Sequence, residues 1–136
     1  MAGIHFSFEN FKQLLDLHIG IASRLDENRA ESFSLLYCDF SEIEDDAVKS
    51  ALREVLRTSD SITNYGKDYY FVLPYTDKYG TDIVKKLFDN YFAKFLNTFV
   101  ISYPVDGETS DEMIAVLQNS AKMFCKKDLE YLDFLS

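Results

Sequence analysis

The side chains of this chain that could do chemistry are overwhelmingly carboxylates. Asp and Glu number 23, against two histidines, His5 and His18, and two cysteines, Cys38 and Cys125. A histidine-based zinc site or catalytic triad has almost nothing to draw on. Any metal here would be a hard cation held by oxygen ligands. Cys38 lies in an apolar run and Cys125 near the end of a helical pattern, with no CxxC and no histidine beside either. Both read as buried, reduced thiols.

The charge balance narrows the partners. The 136 residues carry a formal charge of −9 and an isoelectric point near 4.6. No basic face is available to neutralise phosphates, which argues against a nucleic-acid or anionic-membrane binder. With 47% hydrophobic and 27% charged residues, the composition is globular and the length suits one domain over residues 1–136. No apolar run approaches the roughly 18 residues of a membrane span. Met1–Phe6 lacks the basic start of a signal peptide, so a soluble cytoplasmic protein is expected.

The elements that must position any site follow from periodicity. Phe8 to about Glu31 reads as an N-terminal helix, with Phe8, Phe11, Leu15, His18, Ala22 and Leu25 at three- and four-residue steps and Ser7 as its cap. Phe33–Phe40 is a continuous apolar run suited to a buried central strand. Ser41 and Glu44 form a capping-box pattern before a helix with Val48, Ala51, Leu52, Val55 and Leu56 on one face. Ile62–Tyr65 and Tyr69–Leu73 flank Gly66-Lys67-Asp68 as a hairpin. A third helix would turn Val84, Leu87, Phe88, Tyr91, Phe92, Phe95 and Leu96 inward, and Phe99–Tyr103 is the next strand. Thr109 and Glu112 form a second capping box, before a helix with Ile114, Leu117, Ala121 and Phe124 inward. The order predicts an α+β fold with a ferredoxin-like β-α-β-β-α-β core over 32–126, an antiparallel sheet with helices on one face. The N-terminal helix (1–31) adds to this core, and the tail 127–136 fits a short helix or a strand equally.

Three strings within these elements carry a resemblance. Asn64-Tyr65-Gly66-Lys67-Asp68-Tyr69-Tyr70 resembles the RYGGDEF signature of diguanylate cyclases. Tyr103-Pro104-Val105-Asp106-Gly107-Glu108-Thr109 is similar to that family's YPxDGxT turn. Gln118 to Lys126 is similar to its ADxALYxAK helix, with Ala121 and Lys126 matching, and Asp39 falls on the first aspartate of its DxD segment. The resemblance runs in order from about Phe11 to Lys126. It implies a domain descended from enzymes that join two GTP into cyclic di-GMP.

Carried over residue by residue, the resemblance implies a cyclase that no longer turns over. Gly66 keeps the first signature glycine, but Lys67 replaces the second. Asp68 remains from the acidic pair, while its neighbour has become Tyr69, which cannot replace a carboxylate base or ligand. Tyr70 closes the altered signature. Ser41 replaces the second aspartate of the DxD segment, and Ala47-Val48 stand where the guanine reader is expected. Lys126 could contact a phosphate, but Glu130 occupies the following arginine position. The implied cofactor set is empty apart from Mg²⁺ at a vestigial Asp39/Asp68 site, where two carboxylates plus phosphate oxygens could hold the ion. These carboxylates equally suit a solvated acidic rim.

One family motif survives intact. Arg57-Thr58-Ser59-Asp60 ends six residues before Gly66, where cyclases carry an RxxD product-inhibition site. A guanidinium can bond a phosphate or a guanine edge bidentately, and a carboxylate can accept from guanine N–H groups. The implied function is an inactive GGDEF-like signalling domain that binds cyclic di-GMP through Arg57 and Asp60. A turn aspartate and a last-turn cation would look the same. The alternative is a nucleotide-free interaction module. Its partner, a second copy or another protein, would dock on the first helix, whose flank carries Leu14, Leu17 and Ile21, or on the sheet.

Overall fold

The structure is a computed structural model that describes residues 3–25 and 31–135. It is an α+β arrangement around a five-stranded mixed sheet. Strands β1 (Ile4–His5), β2 (Glu31–Asp39), β3 (Ser61–Tyr65), β4 (Asp68–Pro74) and β5 (Thr98–Pro104) alternate with helices α1 (Phe11–Leu25), α2 (Asp45–Val55), α3 (Lys78–Phe92) and α4 (Ser110–Ser120). The spatial order is β1-β3-β4-β2-β5. All pairings are antiparallel except that of β1 with β3.

The architecture follows from β2. Its residues lack polar alternation, so both of its faces must be covered. Phe33, Leu35 and Tyr37 point to one side, where Phe11, Leu14 and Leu15 of α1 and Met113, Ile114 and Leu117 of α4 bury them. Leu36 and Cys38 point to the other, against Val48, Ala51 and Leu52 of α2 and Phe88 of α3. The two helices of the β-α-β-β-α-β unit, α2 and α3, therefore share one face as expected, and the added α1 and α4 cover the other. Burying each such aliphatic or aromatic side chain stabilises the fold by roughly 1.5–3 kcal/mol.

Local chemistry sets the element ends. Gly66 turns the β3–β4 hairpin at φ +60°, which a residue without Cβ adopts at no steric cost. Its turn is Gly66-Lys67 alone, because Asp68 already pairs with Tyr65 in the ladder. Thr109 caps α4 as its spacing predicted, its hydroxyl accepting from the Glu112 N–H at 3.1 Å. The Ser41/Glu44 box does not form. Asp39 Oδ1 accepts the Ser41 N–H instead, at 3.0 Å, and α2 starts after Glu44 without a side-chain cap. Ser7 likewise caps nothing with its hydroxyl, contributing only its carbonyl to a 3₁₀ turn, Phe8–Asn10.

Other expectations need correction. Glu31 belongs to β2 rather than to the first helix, and residues 26–30 lie outside the described residues. Strand β1 carries no periodic signal. It lies so close to β3 that a Cβ on Gly3 would sit 2.3 Å from the Asp60 carbonyl oxygen. Of the seven residues expected inward on the third helix and just beyond it, Leu87, Tyr91 and Phe95 are exposed. Phe124 is exposed too, because α4 gives way to a π-helical turn at Ala121–Cys125 that shifts the register. Leu14, expected on the flank of α1, is in the core, while Leu17 and Ile21 are exposed. Cys38 is buried and Cys125 only partly so; both are free thiols.

The tail resolves into a 3₁₀ helix, Glu130–Leu135, with Leu129 and Leu132 buried in the α1/α4 core. Among the described residues, no helix is long and apolar enough to cross a membrane.

His18 on α1 packs against the Phe33 ring at 5.5 Å, and burial pushes its imidazole below the ordinary value of 6.5. The unfolded chain therefore binds this proton more tightly, and stability must fall as pH drops below about 6.5 through the folded value. His18→Leu should flatten the acid limb of urea-unfolding stability between pH 7.5 and 5.5. An unchanged slope would show that other groups control it.

Candidate functional site

The register of the sheet creates the problem that this site solves. Asp39, the last residue of β2, stands directly opposite Asp68, the first residue of β4. Like charges so placed repel. The chain answers with a third residue from the tail. Lys127 Nζ donates to Asp68 Oδ1 and lies 3.4 Å from Asp39 Oδ1, so that one ammonium spans both carboxylates.

Tyrosines complete the shell. Tyr37 of β2 donates to Asp68 Oδ1 at 2.6 Å, and Tyr131 of the tail donates to Oδ2 at 2.7 Å. The hydroxyls of Tyr131 and Tyr70 are bonded to each other. Asp68 is buried and both its oxygens are occupied. Burial, and then hydrogen bonding to Asp68, push the Tyr37 phenol far above its usual range. Burial and the neighbouring Tyr70 do the same for Tyr131. These phenols stay protonated and serve as fixed donors. Burial works against ionisation of Asp39, but the Ser41 backbone, the Ser41 hydroxyl and Lys127 outweigh it and hold its carboxyl low. Burial also opposes the charge on Lys127, yet the Asp68 and Asp39 carboxylates win and raise its pKa.

The other residues of the string that carries the resemblance make tethering and packing contacts. Lys67 donates to the Ile43 carbonyl and pairs with Asp45 at 2.7 Å. Its own carbonyl accepts from the Phe40 N–H at 3.0 Å, so it pins the hairpin to the β2–α2 connection. Tyr69 packs on the Phe40 ring at 5.1 Å, on the opposite face of the sheet from Tyr70, which lies 4.9 Å from Phe11. Tyr65 stacks on Tyr131 with ring centres 4.0 Å apart. All three hairpin tyrosines are thus engaged in packing.

Arg57 and Asp60 do come together, at the other end of β3 from the hairpin. Arg57 Nη2 donates to Asp60 Oδ1 at 2.9 Å, to the Pro74 carbonyl at 3.1 Å and to Thr76 Oγ1 at 3.0 Å. Asp60 Oδ2 accepts the backbone N–H of Arg57 at 2.8 Å. Asp60 is only 2% exposed, whereas the Arg57 side chain is 55% exposed. The pair ties the α2–β3 turn to the segment after β4. Lys126 is exposed in a left-handed C-cap conformation, φ 53°; the lysine that reaches the carboxylates is its neighbour.

The Lys127 ammonium lies between Asp39 and Asp68, where the resemblance implies Mg²⁺. Among the described residues no group of three or more His, Cys, Asp or Glu side chains could hold a metal. Val48, at the expected guanine-reading position, is buried in the core beneath α2. Beside Asp39 lies a cavity of about 230 Å³ lined by Ser41, Glu42, Lys94, Phe95 and Asn97 among others. Lys94 and Glu42 form an ion pair in its wall.

Sequence reasoning missed Lys127, Tyr37 and Tyr131. The only signal was the Leu129/Leu132 spacing of the tail, which marks a segment with an inward face.

Lys127→Met should leave two opposed carboxylates uncompensated and cost roughly 2–3 kcal/mol in urea unfolding, less than a fully buried pair because Lys127 is partly exposed. Millimolar Mg²⁺ should then raise the Tm of the variant but not of the wild type. A magnesium-dependent Tm in the wild type would contradict this account.

No family model matches the chain, and no curated protein matches it.

Proposed function

We propose that this chain is a non-catalytic, GGDEF-like signalling domain that acts by binding a protein partner rather than by turning over nucleotide. The observation that carries the reading is the Lys127 ammonium seated between Asp39 and Asp68. A tethered cation stands where the resemblance implies a metal, and phenols bond the carboxylate on which that metal would rest. Lys67 and Tyr69, the two altered signature positions, are spent on holding the hairpin and filling the core. Support for a ferredoxin-like core comes from the order β3-β4-β2-β5, which is second, third, first and fourth along the β-α-β-β-α-β unit.

The second reading, a cyclic di-GMP receptor at Arg57 and Asp60, is favoured by the half-exposed Arg57 guanidinium beside Thr76. Against it, Asp60 is buried and both its oxygens already accept from Arg57. A ligand would have to displace bonds that hold the turn.

Isothermal titration of the wild type and of Arg57→Ala with cyclic di-GMP separates the two readings. We expect no saturable heat up to several hundred micromolar ligand. Micromolar binding that disappears in Arg57→Ala would overturn the nucleotide-free reading and make the chain a second-messenger receptor.

A further inference from the structure

Helix α3 turns an apolar ridge to solvent. Tyr79, Ile83, Leu87 and Tyr91 recur every fourth residue and are 85%, 56%, 46% and 44% exposed. Phe95 is exposed too, but it follows the left-handed Ala93 that ends the helix, and its ring lies under Lys85, on the far side of the helix from the ridge, so it is not part of it. The inward face of the same helix is supplied by Phe88, with Val84 and Phe92 packed beside it. The ridge is thus surplus to the fold.

Its pattern identifies the occupant. Read in either direction, the four helical residues run aromatic, aliphatic, aliphatic, aromatic. A two-fold axis between Ile83 and Leu87 sets Ile83 against the partner's Leu87 and Tyr79 against the partner's Tyr91. Rows of residues four apart are the ridges that interdigitate in the commonest helix–helix packing. Asp82 and Lys86 flank the aliphatic pair, 2.9 Å apart and largely exposed. The same axis sets Asp82 opposite position 88 and Lys86 opposite position 84, so each acid stands two residues, about 3 Å along the helix, from the partner's lysine. With aromatic side chains of about 150–250 Å² each, the exposed parts of the four ridge residues amount to roughly 400 Å² per copy. That is about half of the roughly 800 Å² per partner of a standard interface, and the flanking polar residues supply the rest.

We propose that the partner is a second copy of this chain, bound through an antiparallel, two-fold α3–α3 contact centred between Ile83 and Leu87. This names the partner of the binding role proposed above and rests on that reading. It shifts the docking surface from the first helix to the third.

The test is sedimentation of the full chain over a concentration series. The wild type should be a dimer at tens of micromolar. Leu87→Asp should be a monomer with an unchanged Tm, since Leu87 lies outside the core. Leu17→Asp on exposed α1 should leave the dimer intact. Lys86→Glu should weaken the dimer at least tenfold, and Asp82→Lys combined with Lys86→Glu should restore it. A wild type that stays monomeric at several hundred micromolar overturns the proposal, as does a dimer that survives Leu87→Asp or is lost in Leu17→Asp. Failure of the double charge swap to restore association overturns the two-fold arrangement. A monomeric wild type leaves the nucleotide-free reading standing, whereas cyclic di-GMP binding sinks that reading whatever the oligomeric state.

Discussion

Two carboxylates facing each other across a β-ladder are the constraint on which much of this structure turns. The β2–β4 register puts Asp39 and Asp68 on adjacent strands at one end of the sheet, in partly dry surroundings where their repulsion is poorly screened. A compensating charge must come from elsewhere in the chain, and Lys127 supplies it. Bringing Lys127 there carries the tail back over the hairpin. Tyr131 then reaches Asp68, stacks on Tyr65, and lies beside Leu129 and Leu132 as they enter the core. One electrostatic demand thus accounts for the course of the tail from Lys127 to Leu135.

At the same end of the sheet the hairpin is tied into a scaffold. Lys67 makes three tethering contacts, to the Ile43 carbonyl, the Asp45 carboxylate and the Phe40 N–H. Tyr69 packs its ring against Phe40. At the other end of the sheet, Arg57 and Asp60 satisfy each other and the backbone around them, which is what a turn-stabilising pair does whether or not a ligand also uses it.

What the sequence discloses here is what is local. The β2 run, the α2 stripe, the hairpin at Gly66 and the Thr109 cap are each settled within a few residues, and each appears in the structure. Where the outcome depends on distant partners, the reading falters. The apolar run of β2 demanded cover on both faces, but only three-dimensional packing showed that α1 and α4 supply the second layer. The Ser41 cap lost to Asp39, which took the Ser41 N–H from two residues away. Seven apolar residues on the third helix and just beyond it span too wide an arc for one buried face, so part of them had to face water. Lys127 was invisible because its meaning lies in residues 59 and more positions away along the chain.

That separation has a kinetic consequence. A contact that closes a loop of 59 residues carries a large entropic cost before it returns any stabilisation. Neighbouring contacts, such as the hairpin and the α2 turn, form without that cost. The ammonium bridge and the Tyr131 phenol are therefore expected to form late in folding, after the sheet has set its register. Interactions that form after the rate-limiting barrier act chiefly on the rate of unfolding. The Asp39–Lys127–Asp68 bridge is in this sense a brake on the opening of the molecule, and its strength governs how long the native state persists more than how fast it is reached.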